Sequence, residues 1–201
     1  MTDSDPATIL QQAVYQLETG NPQQAAEFAG QALESAPENA EAIFLLGRCR
    51  ALLNQNTEAI NVLKQASERL PDRLELFNLL GHLLYHERHL EKAIAAFRRC
   101  VELDPDHVEA HRQLANLSLS NDQPEAIRLF ERAHQLAPNH ADLLFDYAWG
   151  TMYTVGDTDR GGDLFCKWLQ LDHGTADRGS IAVQALNYPS NQNPTELAQA
   201  H

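Results

Sequence analysis

The sequence predicts an all-α repeat solenoid of about five helix-turn-helix units followed by a capping helix, and three periodicities predict it. Pro37, Pro71, Pro105 and Pro138 recur 34, 34 and 33 residues apart, the spacing of a two-helix repeat. Twelve residues before each proline stands an alanine: Ala25, Ala59, Ala93 and Ala126. Five before each stands a small residue: Ala32, Ala66, Cys100 and Ala133. Small side chains at fixed positions allow paired helices to approach closely, and stacked units bury one continuous core between neighbours.

After an N-terminal extension over residues 1–5, the first unit spans 6–39. Ile9, Leu10, Ala13, Val14 and Leu17 form a helical stripe that ends at Gly20, and Asn21 is expected to cap a second helix opened by Pro22. The second unit, 40–73, sets Ile43, Leu46 and Gly47 against Ala59, with Gly47 giving the second helix room at that alanine. The third, 74–106, repeats this with Phe77, Leu80 and Gly81 against Ala93 and Phe97. In the fourth, 107–139, Leu114 and Ala115 face Ala126 and Phe130, and the turn is one residue shorter.

The fifth unit, 140–173, is degenerate. Tyr147 and Ala148 fit, and Gly156 with Asp157 marks a turn. Gly161 and Gly162 fall where the tight alanine belongs, each weakening a helix by about 1 kcal/mol relative to Ala. Residues 174–187 read as the capping helix, with Ile181, Val183, Ala185 and Leu186 on its apolar side, and residues 188–201 as an extended tail.

Acidic residues outnumber Lys and Arg by 28 to 15, for a net charge of -13. That balance argues against phosphate-driven nucleic-acid binding and against an anionic membrane surface. MTDSDPATIL lacks a basic stretch followed by an apolar core, and a cytoplasmic protein, monomeric or weakly self-associating, is expected. Cys49, Cys100 and Cys166 have no CxxC spacing and read as buried thiols.

The residues Gly47, Ala59 and Pro71, and Gly81, Ala93, Phe97 and Pro105, resemble the tetratricopeptide repeat (TPR), with Gly or Ala at its eighth position, Ala at its twentieth, an aromatic at its twenty-fourth and Pro at its thirty-second. The resemblance implies a right-handed superhelix whose first helices line the inside of the curve. It also implies that the ninth and fifth positions of each unit contact an extended peptide. One such ladder is Val14, Arg48, His82, Asn116 and Trp149; the other is Leu10, Phe44, Asn78, Arg112 and Phe145. With His86 and Tyr153, these give the candidate partner-binding set Phe44, Arg48, Asn78, His82, His86, Arg112, Asn116, Phe145, Trp149 and Tyr153. Amides and guanidinium groups satisfy peptide carbonyls and carboxylates, and rings bury side chains. A branch of the family that clamps C-terminal carboxylates with lysines and asparagines is not matched, because Leu10, Val14 and Leu45 hold its positions.

His82 with His86, and His107 with His111, have the i, i+4 spacing of metal-binding pairs, but neither has an obvious third ligand. No phosphate-cradling loop or nucleophile elbow occurs. No catalytic residue, metal or cofactor is expected. The expected function is a protein-interaction scaffold or adaptor. A second resemblance keeps another class open: Leu186, Asn187, Tyr188, Glu196, Leu197 and His201 are similar to the junction between repeats and catalytic region in bacterial O-linked N-acetylglucosamine transferase and SPINDLY-like glycosyltransferases. It implies a substrate-recognition region lacking its catalytic part. An assembly protein associating through its ends is the third reading.

Overall fold

The computed structural model describes residues 5–171, all of whose regular elements are helical. The capping helix, the tail and the transferase-like residues fall outside the described residues. The helices gather into two units, divided between Leu103 and Asp104. The first contains α1 (Pro6–Glu18), α2 (Pro22–Ser35), α3 (Ala40–Leu52), α4 (Asn56–Arg69), α5 (Leu74–His86) and α6 (Leu90–Leu103). The second contains α7 (Val108–Ser118), α8 (Gln123–Leu136), α9 (Ala141–Trp149), a π-helical turn (Gly150–Val155) and α10 (Thr158–Leu171). Each odd-numbered helix pairs with the even-numbered one that follows it.

Local chemistry sets the helix ends. Pro6 and Pro22 open α1 and α2, where a missing N–H costs nothing. Asn39 Oδ1 caps α3, Asp122 caps α8, and the Nδ1 atoms of His107 and His140 accept the Ala110 and Leu143 amides. Asn21 differs from its expected role. Its carbonyl accepts the Ala25 amide, while its side chain donates to Gln16 and Thr19 and caps nothing. The residue before each of Pro37, Pro71 and Pro138 ends its helix extended, at φ -140°, -122° and -137°.

The turn inside each of the first three hairpins needs a left-handed residue. Gly20, Asn54 and Arg88 supply it at φ 81°, 58° and 61°. Only glycine adopts that region without a Cβ penalty. The shorter fourth turn has no equivalent, and α7 stops at Ser118.

Glycines also set how closely the helices pack. A Cβ on Gly47 would lie 2.6 Å from Leu63 Cδ2, and one on Gly81 would lie 2.7 Å from the Phe97 ring. Gly47 therefore makes room for Leu63, one turn beyond the expected Ala59. In the first unit, Ala13, Ala25, Ala29, Leu45 and Cys49 form one buried cluster. The second unit has a larger aromatic core, with Phe130 stacked on Tyr147 at 5.3 Å and with Phe165 and Trp168 buried beside them. Gly161 is buried here: its Cβ would meet Met152 Cβ at 2.7 Å and the Met152 backbone nitrogen at 3.0 Å. The glycine read as a weakness is thus a point of close approach between α10 and the π-helical turn.

Cys49 and Cys100 are buried, but Cys166 is exposed on α10, correcting the expectation that all three are buried. Among the described residues, no helix is long and apolar enough to cross a membrane.

Candidate binding faces

In the first unit, α3 and α5 place the sequence-predicted residues on adjacent first helices. Phe44 is only 3 % exposed, and guanidinium groups lie over its ring, Arg73 at 4.8 Å and Arg48 at 5.7 Å from the centroid. Arg73 in turn pairs with Glu41 at 2.7 Å and Glu75 at 3.2 Å. Phe44 therefore anchors the face and leaves Arg48 as its exposed group. Asn78 is half-buried, its Oδ1 lacking a hydrogen-bond partner among the described residues. His82 lies edge-on to Phe97 at 5.2 Å.

Between α3 and α5 opens a cavity of about 420 Å³ lined by Arg48, Leu52, Asn54, Leu79, Leu83 and His86, among others. Leu52 is 60 % exposed. Asn56, also on the rim, donates to Glu87 at 3.0 Å and ties together the turns of two successive hairpins. The cavity thus offers a cationic arm, an imidazole and amides around an apolar floor. Sequence reasoning identified Arg48 and His86 and missed the leucines and Asn54. The available signal was Leu52, an apolar residue at a helix end outside the repeat's core pattern.

In the second unit, Arg112 of α7 is only 16 % exposed and does not reach out as an open arm. Its Nε and Nη2 donate to the two Glu109 oxygens at 2.9 and 2.8 Å, and Nη1 donates to Asp146 of α9. Asn116 donates to the same Asp146 oxygen at 2.8 Å, and Gln113 donates to Glu109 at 2.8 Å. Burial works against the Arg112 charge, but hydrogen bonds and charge from Glu109 and Asp146 outweigh it and push the pKa above the usual arginine range. Arg112 and Asn116 hold α7 to α9. Asp146, which the sequence reading missed, is their shared acceptor.

Phe145 packs edge-on to Phe165 at 5.7 Å and Trp168 at 5.3 Å, and stacks with Trp149 at 6.3 Å. Trp149 meets Tyr153 of the π-helical turn at 4.2 Å. Trp149 and Tyr153 are half-buried, forming a ring pair beside the Arg112 network's helix.

Of the histidines at i, i+4 spacing, two have local structural roles. His107 caps α7, and His111 Nε2 donates to the Pro105 carbonyl at 2.8 Å. Among the described residues, no group of three or more His, Cys, Asp or Glu side chains converges on a metal position.

Two models of the tetratricopeptide repeat match this chain, over residues 16–83 and 74–107. Among solved structures, YrrB, described as a TPR protein with an unusual peptide-binding site, is 21 % identical and superposes with a TM-score of 0.78 over 92 % of this chain and 93 % of that one. MamA from Desulfovibrio magneticus is 16 % identical with a TM-score of 0.77, over 84 % of this chain and 96 % of that one. A thermophilic TPR protein of Thermus thermophilus is 19 % identical with a TM-score of 0.62, over 92 % and 100 %. At these identities the likeness is one of fold: TPR hairpins.

Proposed function

We propose that this chain is a non-catalytic protein-interaction module that holds a partner segment against its first helices. The observation that carries this reading is the α3–α5 cavity, where the exposed Leu52 and Arg48 share one opening with His86. Arg48 makes no ion pair among the described residues, so its charge is available to a partner. The partner chemistry that fits is an apolar side chain beside a carboxylate: leucines remove the first from water, and the guanidinium receives the second. The side chains lie on helices, so little of the receiving face must be ordered on binding. Trp149 and Tyr153 give the second unit its own aromatic contact surface, with Trp149 stacked on Phe145. YrrB's described peptide-binding site agrees with this reading.

Random-peptide display against the folded protein tests it. Selected peptides should share an apolar–acidic pair and should lose about tenfold in affinity for Arg48→Ala combined with Leu52→Ala. Unchanged affinity in that folded variant would reject the cavity as the site. The alternative, a recognition region of a glycosyltransferase, rests on residues 186–201, outside the described residues; a catalytic region joined to this chain would support it.

A further inference from the structure

A second cavity, of about 540 Å³, lies in the second unit between α8 and α10, and none of the sequence-predicted binding residues lines it. Its walls are Glu131, His134 and Gln135 of α8, Tyr147 of α9, and Arg160, Asp163, Leu164 and Lys167 of α10.

The repeat register shows what is unusual here. Arg99 and Arg132 each stand six residues after the tight alanine of their helix, Ala93 and Ala126. Each reaches an acid in the inter-hairpin turn before it: Arg99 pairs with Asp72 at 2.9 Å in the first unit, and Arg132 with Asp106 in the second. Those acids follow Pro71 and Pro105. Lys167 stands six residues after Gly161, in the same register, but the residue following Pro138 is Asn139. The fifth hairpin keeps the cation and lacks its acid. Among the described residues Lys167 forms no ion pair.

The neighbouring groups extend this imbalance. Arg160 donates through Nη2 to Glu131 at 2.7 Å and to the Tyr147 hydroxyl, so the one carboxylate of α8 in the cavity is engaged. Its Nε and Nη1 have no acceptor among the described residues, and a guanidinium carries five N–H donors. His134 Nδ1 likewise has no partner. Among the described residues of the cavity, Asp163 is the remaining acid. It stands four residues before Lys167 on α10, where an exposed pair contributes only a few tenths of a kcal/mol, and it makes no ion pair with it.

We propose that this cavity is an oxyanion site, in which Lys167, Arg160 and His134 together receive a carboxylate or phosphate group that supplies the charge missing at Asn139. Burial first, and then the positive charges of Lys167 and Arg160, hold the His134 pKa below its ordinary value. Among the described residues, the charged or titratable groups facing the histidine are Glu131 on its own helix, Tyr147 on α9, and Arg160, Asp163 and Lys167 on α10.

The test follows the His134 ring signals by NMR, identified by their loss in His134→Asn, while sodium phosphate or sodium acetate replaces sodium chloride at constant ionic strength. A saturable rise in the His134 pKa is expected with at least one of the two anions; the one that gives it identifies the oxyanion. Lys167→Gln should weaken the half-saturating concentration about fivefold, Asp163→Asn should tighten it, and Lys64→Gln on α4 should leave it unchanged. No saturable response to either anion would overturn the proposal. So would a response that neither Lys167→Gln nor Asp163→Asn alters.

Discussion

Substituting Gly161 and Gly30 by alanine asks whether the fifth hairpin is a decayed repeat or a tighter one. Both glycines lie inside helices, so each replacement recovers helix propensity of about 1 kcal/mol. Their surroundings differ. A Cβ on Gly30 meets nothing within 4 Å, whereas one on Gly161 would lie 2.7 Å from Met152 Cβ, 3.0 Å from the Met152 nitrogen and 3.1 Å from the Ala148 carbonyl oxygen. Carbon atoms in good contact sit about 3.5–4.0 Å apart. The obstacles are backbone atoms and a Cβ, which no rotamer change removes. α10 must therefore retreat from the π-helical turn and the end of α9, disturbing Phe165 and Trp168, which are 0 % and 1 % exposed.

Overpacking of this kind costs about 1–3 kcal/mol. Gly30→Ala should thus stabilise by about 0.5–1 kcal/mol, and Gly161→Ala should destabilise by up to about 2 kcal/mol. The difference between them isolates the steric cost, because the propensity gain is common to both. Urea unfolding measures it. Both tryptophans, Trp149 and Trp168, lie in the second unit, so fluorescence reports Gly161→Ala, and circular dichroism reports Gly30→Ala. Equal stabilisation by the two substitutions would refute the close-approach argument.

Two further predictions concern the half-buried His134 and the thiols. His134 binds a proton less readily when folded, so the unfolded chain protonates first as pH falls; its contribution is intact above about pH 6.5 and is lost below, and His134→Asn should flatten the decline in unfolding free energy between about pH 7 and 5. Thiol labelling of the native protein should modify Cys166 alone within minutes, because burial raises the Cys49 pKa and pushes that of Cys100 up to about 12; rapid labelling of all three would contradict the packing.

The periodic features were the legible ones. Prolines and tight alanines repeat because every hairpin meets the same steric demand, and one sequence displays that demand several times. Gly161 was harder to interpret, since the same glycine that weakens an isolated helix also permits contact with Met152, and only the partner helix decides between them. The π-helical turn after Trp149 has no counterpart in the other hairpins from which to infer it. At the candidate faces, position was legible and exposure was not. Arg112 shares its register with Phe44 and Asn78, yet Asp146, in the next first helix, draws it into a buried network. Replacing Arg112 is therefore a poor probe of binding, because it strands a partly buried carboxylate. Phe44 likewise lost its exposure to Arg73, a turn residue outside the helix pattern.

Amide chemical-shift mapping of a display-selected peptide on the isotopically labelled protein tests the central claim most directly. The account predicts that the largest shifts fall at Arg48, Leu52, Asn54, Leu83 and His86, around the α3–α5 cavity. Shifts confined to α2, α4 and α6, with those residues unmoved, would contradict it.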